Sequence, residues 1–174
     1  MFMILFALTI LPSPINIADF SDKKEADRWV VVDDGVMGGR SEGNVKQIDK
    51  KHIRYWGDVS LKNNGGFSSL RKNMSEQKIK GATIAKIRMK GDGKEYQFRV
   101  KNNQSERHSY KYTFKTSGEW ETISIPLNEM TPTFRGYTPD LPNYQAKTLA
   151  QVSILIANKK AESFELEMEK IWLE

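Results

Sequence analysis

The sequence of 174 residues contains no cysteine. Disulfide bonds, thiolate nucleophiles, and zinc or iron–sulfur sites built on cysteine are therefore excluded. Long apolar stretches are scarce as well. The apolar run at residues 1–11 is too short to cross a bilayer as a helix, so no stable membrane span is predicted.

Histidine is almost as scarce, because His52 and His108 are the only two and lie 56 residues apart. Neither occurs beside a Ser-centred turn or in a metal-ligand spacing. Asp33 and Asp34 are adjacent, so on a strand they would point to opposite faces and make a poor acid–base pair. One of them could ligate a structural Ca²⁺, but the sequence gives no means of choosing the other ligands. We therefore predict a protein that is not an enzyme and that holds no cofactor and no metal.

Runs of like charge are also absent. The chain has 27 Lys and Arg against 22 Asp and Glu, a formal net charge of +5, and the basic residues are scattered with acidic residues nearby. This pattern is typical of a solvated basic surface. It does not indicate the clustered cations of a nucleic-acid-binding protein, so no nucleic acid is predicted as a partner.

The N-terminal run MFMILFALTIL matches the apolar region of a secretory signal peptide, although no positively charged residue precedes it. A cleavage site could lie at Asn16-Ile17-Ala18. We therefore divide the chain into a signal peptide or apolar leader at 1–18 and one domain at 19–174. An exported, periplasmic location is favoured over a cytoplasmic one. A buried N-terminal strand and a misassigned start codon are the alternatives.

Most of the chain consists of short segments of alternating polarity separated by Gly, Asn, Asp and Pro. Alternation places the apolar side chains on one face of a strand. Such segments lie at 53–61, 85–90, 96–101, 110–115, 122–127 and 164–169. The segment VSILIA at 152–157 is apolar on both faces and predicts a central strand. Two sheets packed face to face would bury these surfaces, so the predicted fold is all-β, a jelly-roll β-sandwich of roughly eight to ten strands.

Other local structure is limited to two segments. Residues 22–29 are predicted to form one or two helical turns capped by Ser21. Residues 128–148 contain prolines at 132, 139 and 142 and predict a long loop. Long loops in compact domains tend to be functional.

Two glycine-rich segments, VVDDGVMGGRSEG at 31–43 and SLKNNGGFSSLRKN at 60–73, allow two interpretations. They could be tight turns between strands. They could instead be loops at one end of the sandwich that present backbone amides, Asp, Asn and Arg to a ligand. Neither is a nucleotide-binding fingerprint. The candidate ligand-binding or partner-binding residues are Asp33, Asp34, Met37, Arg40, Ser41, Asn64, Phe67, Arg71 and Arg135.

The segments from Trp29 to Gly43 and from Ser60 to Arg71 resemble motifs of the complex I intermediate-associated protein family. Pro132 to Gly136 and the closing stretch 163–173 resemble it as well. The resemblance implies a galactose-binding-like jelly-roll sandwich, similar to carbohydrate-binding modules. The best-known members of the family are chaperone-like factors that help to assemble respiratory complex I.

The predicted function is a non-enzymatic binding or chaperone-like domain with a protein partner, such as a subunit or an intermediate of a respiratory complex. Loops 33–43, 63–71 and 132–137 would form its contact face. The alternative is a carbohydrate-binding module of an exported protein, with Trp56 and Trp120 as stacking platforms for sugars.

Overall fold

A computed structural model describes residues 13–79 and 81–174, apart from the side chains of Val36 and Met37. In this part of the chain, twelve strands form two six-stranded antiparallel sheets. The strands are β1 Ile15–Asp19, β2 Val30–Asp33, β3 Glu42–Gln47, β4 Ile53–Val59, β5 Ser68–Lys78, β6 Ile84–Lys90, β7 Glu95–Lys101, β8 Ser109–Lys115, β9 Trp120–Pro126, β10 Thr131–Thr133, β11 Thr148–Ile156 and β12 Glu162–Leu173. The predicted all-β sandwich is confirmed, with two strands more than the upper end of the predicted range.

The first sheet has the strand order β3-β4-β12-β6-β9. Its centre is β12, whose first half pairs with β4 through residues 162–168. The second half pairs with β6 on one side and with β1 on the other. Strands β4 and β1 therefore lie one after the other along the same side of β12.

The second sheet has the order β10-β8-β7-β11-β5-β2. Strand β11 pairs with β5 and β7, and every residue after its first is buried. The prediction of a central strand at 152–157 is therefore confirmed. On the outer face of this strand, the polar side chains of Gln151 and Ser153 are also largely buried, with 8% and 4% exposure.

The core lies between the sheets and includes several large aromatic side chains. Tyr55 and Tyr96 are fully buried, and each hydroxyl has a partner. The Tyr55 hydroxyl donates to Ser68 Oγ of the opposite sheet at 2.8 Å, and that of Tyr96 donates to Asp92 Oδ1 at 2.9 Å. Burial raises the pKa of both tyrosines, so these hydroxyls stay protonated and act as donors.

The helical prediction is correct in place but wrong in its cap. The helix α1 spans Lys23–Ala26, and its N-cap is Asp22, whose side chain accepts a hydrogen bond from Lys24 N at 2.9 Å. The hydroxyl of Ser21 donates to Asp19 instead. Asp22 prevails because only its carboxylate lies within reach of the first free amides of the turn. Within residues 13–79 and 81–174, no helix is long and apolar enough to cross a membrane.

The predicted leader overlaps the folded sandwich. Residues 1–12 lie outside the described residues, but 15–19 form β1, in which Ile17 and Ala18 are buried. The backbone of this strand also holds Lys72, whose buried ammonium donates to Ile17 O at 2.6 Å and pairs with Glu25. Burial lowers the pKa of Lys72, and the Glu25 carboxylate opposes this effect. A buried ammonium needs such partners, so β1 takes part in the packing of the sandwich. The boundary at 18 stays a prediction, and cleavage there would remove this strand.

A chain that begins at Asp19 should be less stable than one that begins at Ser13 by about 3 kcal/mol, because it exposes core surface and leaves Lys72 without the Ile17 carbonyl. Urea denaturation of the two chains, followed by tryptophan fluorescence, measures the difference. Equal midpoints and slopes would show that β1 is dispensable.

Candidate functional site

The two glycine-rich segments meet around the carboxylate of Asp34, which is only 1% exposed. Its Oδ1 accepts a hydrogen bond from Ser41 N at 3.0 Å. Its Oδ2 accepts hydrogen bonds from the Ser41 hydroxyl, from Gly66 N at 2.6 Å and from Phe67 N at 3.2 Å. Burial would raise the pKa of Asp34, but these hydrogen bonds outweigh it and hold the pKa below its usual value. We call this cluster, residues 33–41 and 60–68, the Asp34 junction.

Glycine is required in the junction because the carboxylate fills the space where side chains would be. A Cβ on Gly39 would lie 2.1 Å from Asp34 Oδ1, and one on Gly65 would lie 2.6 Å from Asp34 Oδ2. A further link is the Ser41 hydroxyl, which accepts a hydrogen bond from Ser60 N at 3.0 Å. The glycines and free backbone N–H groups that made these segments candidate ligand loops are therefore also what the buried carboxylate of Asp34 requires.

The neighbouring carboxylate of Asp33 has different partners. Its Oδ2 accepts a hydrogen bond from Gly43 N at 2.8 Å, and its Oδ1 accepts one from the hydroxyl of Ser68. Asp33 and Asp34 therefore accept hydrogen bonds from separate sets of donors, and their carboxylates do not face a common site. Within the described residues, no three Asp, Glu or His side chains come together as a metal site would require.

The nine candidate residues do not form one site. Four lie in the junction: Asp33, Asp34, Ser41 and, through its backbone N–H, Phe67. Two are exposed in the same loops, Arg40 and Asn64. The side chain of Met37 lies outside the described residues. The remaining two, Arg71 and Arg135, line a cavity on the outer face of the second sheet.

Substituting Asp34→Asn should destabilise the fold by about 2–4 kcal/mol at pH 7, because an amide cannot accept all four hydrogen bonds. Since the folded-state pKa of Asp34 is lowered, its stabilisation is present above the unfolded-state pKa of about 3.9 and is lost as the pH falls through the folded-state value. The difference in the free energy of unfolding between wild type and variant, measured by urea denaturation, should therefore be smaller at pH 3 than at pH 7.

The control is Arg40→Gln, an exposed change in the same loop that should alter stability by less than about 0.5 kcal/mol. If Asp34→Asn lowers the free energy of unfolding equally at both pH values, the role assigned to the carboxylate is contradicted.

The cavity on the second sheet has a volume of about 170 Å³. Side chains of β5, β7, β8, β10 and β11 line it, together with the loops that follow β7 and β10. Five of its lining residues are cations, and none is acidic. The cations are Arg71, Arg99, Lys101, Arg107 and Arg135. We call it the basic cavity.

Strand register brings the cations of the sheet together. Ser153 of β11 pairs with Arg71 of β5 on one side and with Arg99 of β7 on the other. Two residues earlier, Gln151 pairs with Lys101 of β7. All five side chains point outward because the residues between them face the core. The neutral side chains of β11 therefore lie between the cations of β5 and those of β7.

No acidic side chain among the described residues forms an ion pair with any of these five cations, although nine ion pairs occur elsewhere. Arg99 donates from Nε and Nη2 to the neutral Gln97 amide oxygen at 3.0 and 2.6 Å. Burial, together with repulsion from Arg71, lowers the pKa of Arg99 to about 10. Burial also lowers the pKa of Arg71 and of Lys101, the latter with a contribution from Arg71. The Glu106 carboxylate partly opposes the lowering of the pKa of Lys101. No carboxylate in the described part of the chain balances the charges of Arg71 and Arg99 in this way.

Two polar atoms of the cavity wall have no hydrogen-bond partner in the described part of the chain. One is the hydroxyl oxygen of Ser69, a residue with no exposed surface, and the other is Nε of Arg71. Buried polar groups normally have partners, and an unsatisfied one costs about 1–3 kcal/mol. Their position in the wall is consistent with a partner that binds from outside the chain.

The remaining two cations lie at the edge of the cavity. Arg135 and Gly136 have φ angles of 47° and 87° in the tight turn between Phe134 and Tyr137. Arginine is uncommon in this left-handed conformation, where Gly or Asn is usual. The guanidinium groups of Arg107 and Arg135 each lie 5.4 Å from the centre of the Phe134 ring. Cation–π attraction therefore holds both beside the cavity.

A second depression of about 240 Å³ adjoins the basic cavity and shares Arg107 and Phe134 with it. Its other walls are His108, Tyr137, Pro139 and Leu141. Tyr137 and Leu141 are 56% and 44% exposed, which is unusual for large apolar side chains. We call this depression the apolar groove. The prediction that 128–148 is one long loop is wrong in part, because Thr131–Thr133 form β10 and pair with β8. The loop that follows β10 supplies Arg135 and most of the groove, and its functional role stays a prediction.

Sequence reasoning identified Arg71 and Arg135 but missed Arg99, Lys101 and Arg107. Arg99 and Lys101 belong to the polar face of an alternating strand, which is ordinary for a solvated surface. The sequence offered one signal for a basic surface here: two successive outward positions of β7 both carry a cation. The proximity of Arg71, which lies in a different strand, depends on register and was not available from local pattern.

Comparison with known proteins gives three results. A family model described as complex I intermediate-associated protein 30 matches residues 18–168. An uncharacterized protein of Schizosaccharomyces pombe is 29% identical over 163 residues, which cover 80% of this chain and 74% of that protein.

Among solved structures, the fold is similar to the family 11 carbohydrate-binding module of Clostridium thermocellum in complex with a β-1,3-1,4-mixed-linked tetrasaccharide. The TM-score is 0.66 at 13% identity, over 92% of this chain and 94% of that one. A family 30 carbohydrate-binding module has a TM-score of 0.54 at 11% identity, over 95% of each chain. At these identities the likeness shows a shared jelly-roll fold.

Proposed function

Because this chain belongs to the complex I intermediate-associated protein 30 family, we propose that it is a non-catalytic binding domain that holds a protein partner, in the manner of an assembly factor. A subunit or an intermediate of a respiratory complex is the kind of partner that the family description suggests. The observation that supports a binding role most directly is the basic cavity, whose five half-buried or exposed cations form no ion pair with an acidic side chain in the described part of the chain.

The composition of this surface fits protein recognition. Arginine and aromatic side chains are enriched where binding energy concentrates in protein interfaces. Here Arg107 and Arg135 flank the ring of Phe134, and exposed Tyr137 and Leu141 continue the surface. A partner that covers them would bury cationic and apolar groups together.

A non-catalytic role agrees with how the acidic residues of the glycine-rich motifs are used. Asp33 and Asp34 accept hydrogen bonds from within the fold, so neither is free to take a proton from a substrate. His52 immediately precedes β4 and is hydrogen-bonded to Asp49 at 2.8 Å. Its ring lies 4.7 Å from that of Trp120 in β9, a strand of the same sheet as β4.

The double variant Arg71→Gln/Arg99→Gln should lose its protein partners in affinity capture from native extract, at least about tenfold in yield, because it removes two buried charge-assisted contacts. Quantitative mass spectrometry of the captured proteins gives the measurement. The control is Arg54→Gln/Arg88→Gln, which makes the same change of charge on the first sheet, where both arginines face glutamates. Equal capture by all three proteins would refute the proposal.

Carbohydrate binding is the second candidate function, and it would use a different surface, the outer face of the first sheet. Trp56, Trp120 and Trp172 lie on the outer face of the first sheet. Each has a cationic side chain over its ring: Arg54 at 5.1 Å, Arg88 at 5.7 Å and Lys170 at 5.6 Å. Sugars stack on open aromatic faces, and these rings are partly covered, which makes this the weaker candidate.

Affinity electrophoresis should therefore show no retardation of the wild-type protein in gels that contain a mixed-linked β-glucan or β-1,4-galactan. Retardation that Trp56→Ala or Trp120→Ala removes, and that Arg71→Gln leaves unchanged, would favour the carbohydrate function instead.

A further inference from the structure

We infer that the basic cavity and the apolar groove together form a docking site for an acidic segment of a partner protein, with a carboxylate in the cavity and a neighbouring apolar side chain in the groove. This inference rests on the proposed protein-binding function and specifies the chemistry that the site recognises.

Charge is the first argument. The five cations of the cavity equal the formal net charge of the chain, +5, so the rest of the chain is formally neutral. On the first sheet, Arg54 and Lys86 face Glu165 and Glu174. Among the described residues, no carboxylate forms an ion pair with a cation of the basic cavity, and the nearby Glu106 carboxylate acts on Lys101 alone of Arg71, Arg99 and Lys101. Burial, with repulsion from Arg71, lowers the pKa of Arg99, and a bound anion would offset that repulsion.

The donors that line the cavity suit a carboxylate. Arg71 and Arg99 lie on either side of Ser153, and guanidinium groups bind carboxylates through paired N–H donors. The fully buried Ser69 supplies a hydroxyl that has no partner within the described part of the chain. Gln97 holds Arg99 in place without neutralising it. A volume of about 170 Å³ admits one small anionic group rather than a folded surface.

The adjoining groove identifies the source of the carboxylate as a polypeptide. It shares Arg107 and Phe134 with the cavity, so an occupant of one lies directly beside the other. Exposed Tyr137 and Leu141 offer an apolar surface next to the charged one. A neutral sugar would need an open ring, whereas Arg107 and Arg135 both lie against Phe134. A nucleic acid would need cations along a stripe, and these cations surround one cavity.

Fluorescence anisotropy with labelled nine-residue peptides tests the site in the full chain. The probes are three repeats of Glu-Leu-Ser, three of Gln-Leu-Ser, three of Glu-Ser-Ser, and a ten-nucleotide thymidine strand. The Glu-Leu-Ser peptide should bind at least tenfold more tightly than the Gln-Leu-Ser peptide in 50 mM salt. Its affinity should fall as salt is raised, because charge pairing is screened.

Variants separate the two halves of the site. Arg71→Gln/Arg99→Gln should weaken the Glu-Leu-Ser peptide at least tenfold, and the control Arg54→Gln/Arg88→Gln should change it less than twofold. Tyr137→Ser/Leu141→Ser should weaken the Glu-Leu-Ser peptide severalfold and leave the Glu-Ser-Ser peptide unchanged. The melting temperature of Arg71→Gln/Arg99→Gln should not fall, since the change relieves repulsion, and this excludes unfolding as the cause of any lost binding.

Three results would overturn the inference: equal binding of the Glu and Gln peptides, equal losses in the two double-arginine variants, or tighter binding of the thymidine strand than of any peptide. If the peptides fail while capture of native partners still depends on Arg71 and Arg99, the acidic-segment inference is wrong and the proposed function stands. If the peptides bind as expected while native capture is unaffected by the same variant, the proposed function is wrong.

Discussion

The buried carboxylate of Asp34 is the constraint on which the positions of the neighbouring elements depend. A carboxylate withdrawn from water is tolerated only when donors surround it, and the donors here come from two loops that are distant in sequence. Two of them, the N–H groups of Gly66 and Phe67, immediately precede β5. The carboxylate therefore fixes where β5 begins, and β5 pairs residue by residue with β11 from Ser68 to Asn73. The position of Arg71 opposite Ser153 follows from this register.

The two sheets differ in the balance of charge on their outer faces. In the first sheet, the central strand β12 presents outward glutamates, and cations of the adjacent strands pair with them, as Arg54 does with Glu165. In the second sheet, the central strand β11 presents Ser153 and Gln151 at the corresponding outward positions. Cations of β5 and β7 therefore face one another without an acid between them. The contrast arises from which side chains the central strand carries, because the backbone pairing is antiparallel in both sheets.

Seven of the twelve strands, β4, β6 to β9, β11 and β12, could be predicted from the sequence because side-chain alternation is a local property. The central position of 152–157 followed from its apolar character on both faces. Strand β1 lies in the predicted leader, and β2, β3, β5 and β10 lie wholly or partly in segments that were interpreted as turns or loops. The basic cavity could not be predicted, because it depends on register between strands that are far apart in the chain: Arg71 and Arg99 belong to β5 and β7 and meet across β11. The glycine-rich loops remained ambiguous because a turn around a buried carboxylate and a loop around a ligand need the same residue types. Asp22 and Ser21 are both good helix caps, and only the backbone geometry decides between them.

The most distinctive sequence in this chain thus serves the Asp34 junction, and the candidate site lies mainly on side chains outside the two glycine-rich motifs. Arg71, near the end of the second glycine-rich segment, belongs to both that segment and the candidate site. Arg99 and Lys101 point away from the core, so the side chains at these positions can vary without disturbing the junction or the packing between the sheets. Repulsion between Arg71 and each of these two cations opposes folding. The burial of Tyr55, Tyr96 and Phe98 in the core offsets that loss of stability. A match to the motifs is therefore evidence about the fold, whereas the proposed ligand site depends on the outward residues of β5 and β7.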